Sequence, residues 1–109
     1  MEATSPREFF EKVLPSKFNS EKAVGIDVVI QVDVLGPNGG MWTVIIKDQR
    51  LIVNESIHPS PNLSLKMTEK DYMDLINRRI SPEKAFFSGK LKLKGNIGLA
   101  LKLRDIGFL

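Results

Sequence analysis

The residue types able to do chemistry are few in this chain, and their spacing works against most reactions. The only histidine is His58, followed by Pro59 in a stretch without periodicity. Nucleophilic catalysis needs a base beside the nucleophile, and no G-x-S-x-G elbow accompanies this histidine. A loop histidine without a catalytic role is therefore expected. There is no cysteine, which excludes a disulfide scaffold, a thiolate zinc site and a cysteine nucleophile together. The remaining metal ligands are carboxylates. Asp71 and Asp74 stand beside Lys70 without a calcium-loop pattern, and read as a solvated helix face. No metal and no cofactor is expected.

Phosphate cradles fare no better. Gly36, Gly39 and Gly40 fall in a turn between two strands, and Gly89-Lys90 lacks the serine or threonine of a phosphate-binding loop. Gly95-Asn96-Ile97-Gly98 opens a helix and reads as an ordinary capped turn. Charge is more informative. The chain carries a net charge of +3, yet between Arg78 and Arg104 eight lysines and arginines stand against Glu83 alone. Such a segment is either a solubilising surface or a surface for an anionic partner, such as nucleic acid, a phosphate ester or an acidic membrane. Lys90, Lys92 and Lys94 share one side of an expected strand with no aromatic for a base to stack on. Nucleic acid is not expected as a partner.

The elements that would position these residues follow from periodicity. Ser5, Pro6 and Glu8 form a capping box, and Phe9, Phe10, Val13 and Leu14 give a helix its apolar face before Pro15 ends it. Apolar residues alternate from Val24 to Val34, predicting a long strand. Residues 41–47 and 51–55 read as two more strands, joined to it by short turns. Leu63, Leu65 and Met67 mark a fourth strand, and Thr68 caps a helix with Tyr72, Leu75 and Ile76 on its apolar face. Ser81-Pro82 opens a short helix ended by Gly89, residues 90–94 form a fifth strand, and residues 97–104 a last helix. The class is α+β: a single five-stranded, mainly antiparallel β-sheet with α-helices packed on one face.

The last helix departs from an ordinary surface helix. Ile97, Leu99, Ala100, Leu101 and Leu103 place apolar residues around its whole circumference, and Ile106, Phe108 and Leu109 prolong the character. Such a segment is buried, joins a second copy, or covers a bound hydrophobic ligand. Phe108 is expected to fold back and close one end of an apolar pocket. With 109 residues the chain is one domain, spanning 1–109. No apolar run approaches the ~20 residues that cross a bilayer, and the first ten residues are too charged for a signal peptide. A soluble, cytoplasmic domain is the expectation.

The run from Ala85 to Leu103, A-F-F-S-G-K-L-K-L-K-G-N-I-G-L-A-L-K-L, closely resembles the sterol carrier protein-2 family. Gly36-Pro37, Gly39-Gly40, Trp42 and Met67-Thr68 follow the family in order upstream. The resemblance implies a helix-covered five-stranded sheet enclosing an apolar tunnel. Its ligand would be a fatty acid, a fatty acyl-CoA, a sterol or a phospholipid. Phe86, Ile97, Leu99 and Leu101 match the tunnel-wall region, and Trp42, Met73 and Ile76 join them on burial grounds. Lys90, Lys92 and Lys102 would meet an anionic headgroup or membrane, or be solvated. The family has no catalytic set, so no enzyme is implied, and the chain would be a stand-alone carrier, a monomer or weak dimer. The alternative is an interaction or accessory module whose apolar C-terminal helix dimerises or docks on a partner enzyme. Two departures stand out. Gln49 occupies a turn position often held by glycine, and Gly107-Phe108-Leu109 is not a Ser-Lys-Leu type peroxisomal signal.

Overall fold

The alternation of apolar residues becomes a strand only at Val28. Glu21–Ala23 forms a 3-10 turn, and Gly25 takes a left-handed φ of 76°, which an extended ladder cannot absorb. Val24 is consequently exposed instead of paired. The computed structural model describes residues 2–105. Within them β1 (Val28–Leu35), β2 (Gly40–Lys47), β3 (Arg50–Asn54), β4 (Leu63–Thr68) and β5 (Lys92–Gly95) form one sheet in the order β3-β2-β1-β4-β5. Pairing is antiparallel except between β1 and β4, which run parallel.

That parallel pair requires residues 55–62 to travel from the β3 edge back across the sheet. The crossing is held from beneath by Gln31. Its Oε1 accepts from the His58 N–H at 2.6 Å and its Nε2 donates to the Ser56 carbonyl at 3.1 Å. The Thr43 hydroxyl lies 3.1 Å from the same carbonyl. Gln31 and Thr43 are thus buried polar residues with their hydrogen bonds made.

The other face of the sheet carries the core. Ile30 and Val32 of β1, Val44 and Ile46 of β2, and Leu63 and Leu65 of β4 are all buried there. Helices cover this face. The first begins as α1 (Pro6–Glu8), with the Ser5 hydroxyl accepting from the Glu8 N–H at 3.1 Å. It widens into a π-helical turn, Phe9–Val13, and continues as α2 (Leu14–Lys17). Pro15 therefore does not end the helix. In the π-turn the Leu14 N–H bonds back to the Phe9 carbonyl, and this widening makes room for a ring that would strike an α-helical carbonyl. The same turn lets the adjacent Phe9 and Phe10 both be fully buried.

α3 (Glu69–Ile76) is capped by Thr68, whose hydroxyl accepts from the Asp71 N–H at 3.2 Å, and buries Tyr72, Leu75 and Ile76. α4 (Pro82–Phe87) is capped by Ser81 and buries only Ala85. The fifth strand starts later than expected because the Lys90 and Leu91 N–H groups both bond to the Ala85 carbonyl, at 2.9 and 3.0 Å. Those donors close α4 and are lost to the ladder. α5 (Gly98–Asp105) follows. Among its described side chains Leu103 is fully buried, Leu99 and Ala100 pack partly against the core, and Lys102 is exposed.

Candidate functional site

Between the helices and the sheet lies an aromatic stack. The Trp42 ring of β2 lies against Phe10 with centroids 4.8 Å apart and planes 19° apart. Phe10 in turn lies against Tyr72 of α3 at 5.8 Å and 14°. Phe9 meets Tyr72 edge-on at 6.1 Å. Two buried polar atoms belong to this stack, the Tyr72 hydroxyl among the rings and the Trp42 Nε1 on the side of Gly40 and Glu55. The Trp42 Nε1 and the Tyr72 hydroxyl are buried with no hydrogen-bond partner among the described residues. Each such group costs about 1–3 kcal/mol unless something satisfies it. Burial pushes the Tyr72 phenol well above its usual range, so the hydroxyl keeps its proton and remains a donor. A buried donor in apolar walls suits a hydroxyl, carbonyl or carboxyl oxygen of an otherwise apolar molecule. No group of three or more histidine or carboxylate side chains is arranged to hold a metal ion among the described residues.

A cleft of about 730 Å³ opens between the first helix and the β3 edge, with Phe10, Pro15, Trp42, Leu51 and Val53 in its walls. Arg7, Glu11, Asn54 and Glu55 complete its lining, and Arg7 binds Glu55. Its guanidinium donates twice to the Glu55 carboxylate, at 2.9 and 2.8 Å, and lies 5.2 Å from the Trp42 ring. Hydrogen bonding to Glu55, then its charge, raises the Arg7 pKa. A smaller groove of about 340 Å³ lies on the opposite face of the sheet, beside Asp33, Met41, Lys66, Lys92 and Lys94.

Trp42 and Ile76 are buried, and Met73 and Leu99 pack partly against the same core. Phe86 is 39% exposed and Ile97 49%, so both stand at the surface. The Leu101 side chain and all of Phe108 lie outside the described residues. Lys90, Lys92 and Lys102 are exposed, yet they do not converge. Lys92 points from β5 toward the face without helices, where it lines the smaller groove, whereas Lys102 of α5 lines a separate groove with Lys22 and Val24. Sequence reasoning passed over Tyr72 as a site residue, although a tyrosine within an apolar helix face carries a hydroxyl to the interior. It also passed over the Arg7–Glu55 clasp, which joins residues far apart in the chain.

Comparison with known proteins agrees with this architecture. Residues 10–106 match the SCP-2 sterol transfer family. The chain is 34% identical over 73 residues to Sterol carrier protein 2 of Homo sapiens, covering 65% of this chain and 13% of that protein. It is 30% identical over 97 residues to Hydroxysteroid dehydrogenase-like protein 2 of Rattus norvegicus, covering 87% of this chain and 18% of that protein. The chain therefore spans a small part of either relative. The solution structure of palmitated SCP2L2 from Aedes aegypti shares the fold, with a TM-score of 0.73 at 21% identity over 97% of this chain and 96% of that one. The family match takes in every strand of the sheet and most of the helical cover, and the chain belongs to the SCP-2 sterol transfer family.

Proposed function

We propose that this chain is a non-catalytic lipid-binding and lipid-transfer domain, 1–109, holding one long-chain apolar ligand in a tunnel between the helices and the sheet. The observation that carries the reading is the Tyr72 hydroxyl, a buried donor without a partner among the described residues, set among the rings of Phe9 and Phe10. Membership of a sterol transfer family supports it, as does the palmitated state of the Aedes aegypti protein of like fold. The ligand class is a fatty acid, fatty acyl-CoA, sterol or phospholipid, because each joins a long apolar body to one oxygen-bearing end. An apolar wall discriminates between such bodies weakly, by about 1–3 kcal/mol per methylene.

In this reading Trp42, Met73, Ile76, Leu99 and Leu101 form the wall. Phe86 and Ile97, both partly exposed, stand at a mouth, and Phe108 closes an end. The domain works as a monomer or weak dimer that meets anionic membranes through its lysines. Native mass spectrometry of the purified protein tests the reading. A co-purifying molecule with the mass of a long-chain lipid is the expected result. A ligand-free dimer that takes up no added fatty acid would replace the carrier with an interaction module.

A further inference from the structure

Phe86 and Phe87 end α4 with their rings in edge-on contact at 5.6 Å. Phe87 is 85% exposed, the most exposed of the large apolar side chains described. Val24 and Ile57 are also exposed, but scattered single apolar residues are ordinary on any surface. An adjacent aromatic pair is a different matter, because it presents two rings to water together. The segment that carries it lies at the surface. From Ser81 to Lys90 only Ala85 is buried, and Pro82 is the single half-buried residue beside it. Nothing in the core depends on the Phe87 ring.

The charges around the pair give its partner a sign. Lys84 lies three residues before Phe87, hence next to it on the helix surface, and Lys90 follows the turn at Gly89. Both lysines are exposed, and Glu83 is the one acidic residue between Arg78 and Arg104. Aromatic rings settle at the headgroup level of a bilayer, while lysines beside them are drawn to anionic lipid. We propose that the α4 tip, Phe86 and Phe87 with Lys84 and Lys90, is the surface by which this domain docks on a bilayer containing anionic lipid. The proposal rests on the lipid-transfer reading above, since a carrier must meet the membrane that supplies its cargo.

The test uses the full chain and phosphatidylserine–phosphatidylcholine vesicles, with phosphatidylcholine vesicles alongside. Phe87→Ser should lower co-sedimentation with the mixed vesicles about tenfold, the order set by one aromatic leaving an apolar environment. Lys84→Glu should lower it on the mixed vesicles and leave the weak binding to pure phosphatidylcholine unchanged. Uptake of a fluorescent fatty acid should be the same in both variants as in the parent chain. Unaltered co-sedimentation of both variants would overturn the tip as the docking surface, as would a parent chain that ignores the mixed vesicles. A parent dimer that Phe87→Ser converts to monomer would also overturn it, making the pair a protein contact. Failure of the parent chain to take up fatty acid would instead remove the carrier reading.

Discussion

A hydroxyl buried without a partner is a local instability, and Tyr72 carries one. In the ligand-free protein Tyr72→Phe should raise stability by about 1 kcal/mol, because it removes an unsatisfied donor and keeps the ring against Phe9 and Phe10. Urea unfolding of delipidated protein measures this. If a lipid oxygen partners the hydroxyl, the same variant binds a fluorescent fatty acid more weakly. Stability up and affinity down together would mark a ligand contact; stability up with affinity unchanged would return Tyr72 to plain packing. Asp74 offers a separate prediction at this scale. Its carboxyl is held below the usual range chiefly by the hydrogen bond from Lys70 Nζ at 3.0 Å, with Arg79 adding to it. A folded pKa below the unfolded one stabilises above the ordinary carboxylate range and is lost as pH falls through the folded value. Asp74→Asn should therefore flatten part of the fall in melting temperature on acidification. The burial of Trp42 and Ile76 was legible from residue type and period. The orphan state of Tyr72 was not, because it depends on Phe9 and Phe10 from a distant helix.

Elements were legible where their signals are local. The caps at Ser5, Thr68 and Ser81 each place a hydroxyl on an N–H three residues ahead, and that geometry belongs to the sequence itself. Pro15 misled for the opposite reason, since its tolerance depends on the π-turn before it. The strand after Val24 misled because alternation cannot register the left-handed Gly25. The turn between β2 and β3 lends itself to a test. Asp48 and Gln49 take φ of 52° and 62°, a two-residue hairpin that favours glycine at its second position. Gln49→Gly should stabilise the protein by roughly 1 kcal/mol or less, the relief of the left-handed backbone being offset by the lost bond from Gln49 Nε2 to the Ser20 carbonyl at 3.1 Å. Thermal unfolding checks it. The crossing segment gives the contrary sign. Gln31→Leu should cost about 1–3 kcal/mol and speed amide exchange at His58, whose N–H loses its acceptor.

Across the whole molecule the lysines are distributed, not gathered at one mouth. Lys66, Lys92 and Lys94 border the groove on the helix-free face of the sheet, Lys84 and Lys90 flank the α4 tip, and Lys102 stands on α5. The basic C-terminal third was legible as a count of residues. Its spread over two faces was not, because strand alternation and the packing of α5 decide which side each lysine takes. A field of this breadth attracts an anionic surface from a distance before any ring inserts. Lysines near such a surface contribute about 1 kcal/mol each, within a screening length of about 10 Å at 0.1 M salt. Transfer of a fluorescent fatty acid from anionic donor vesicles should accordingly outpace transfer from neutral ones at low salt. High salt should collapse that difference, leaving a residual rate from both vesicle types that Phe87→Ser reduces, since ring insertion is insensitive to screening. Stopped-flow transfer under the four combinations of lipid and salt measures this. Equal rates in all four would remove electrostatic docking and leave lipid binding standing.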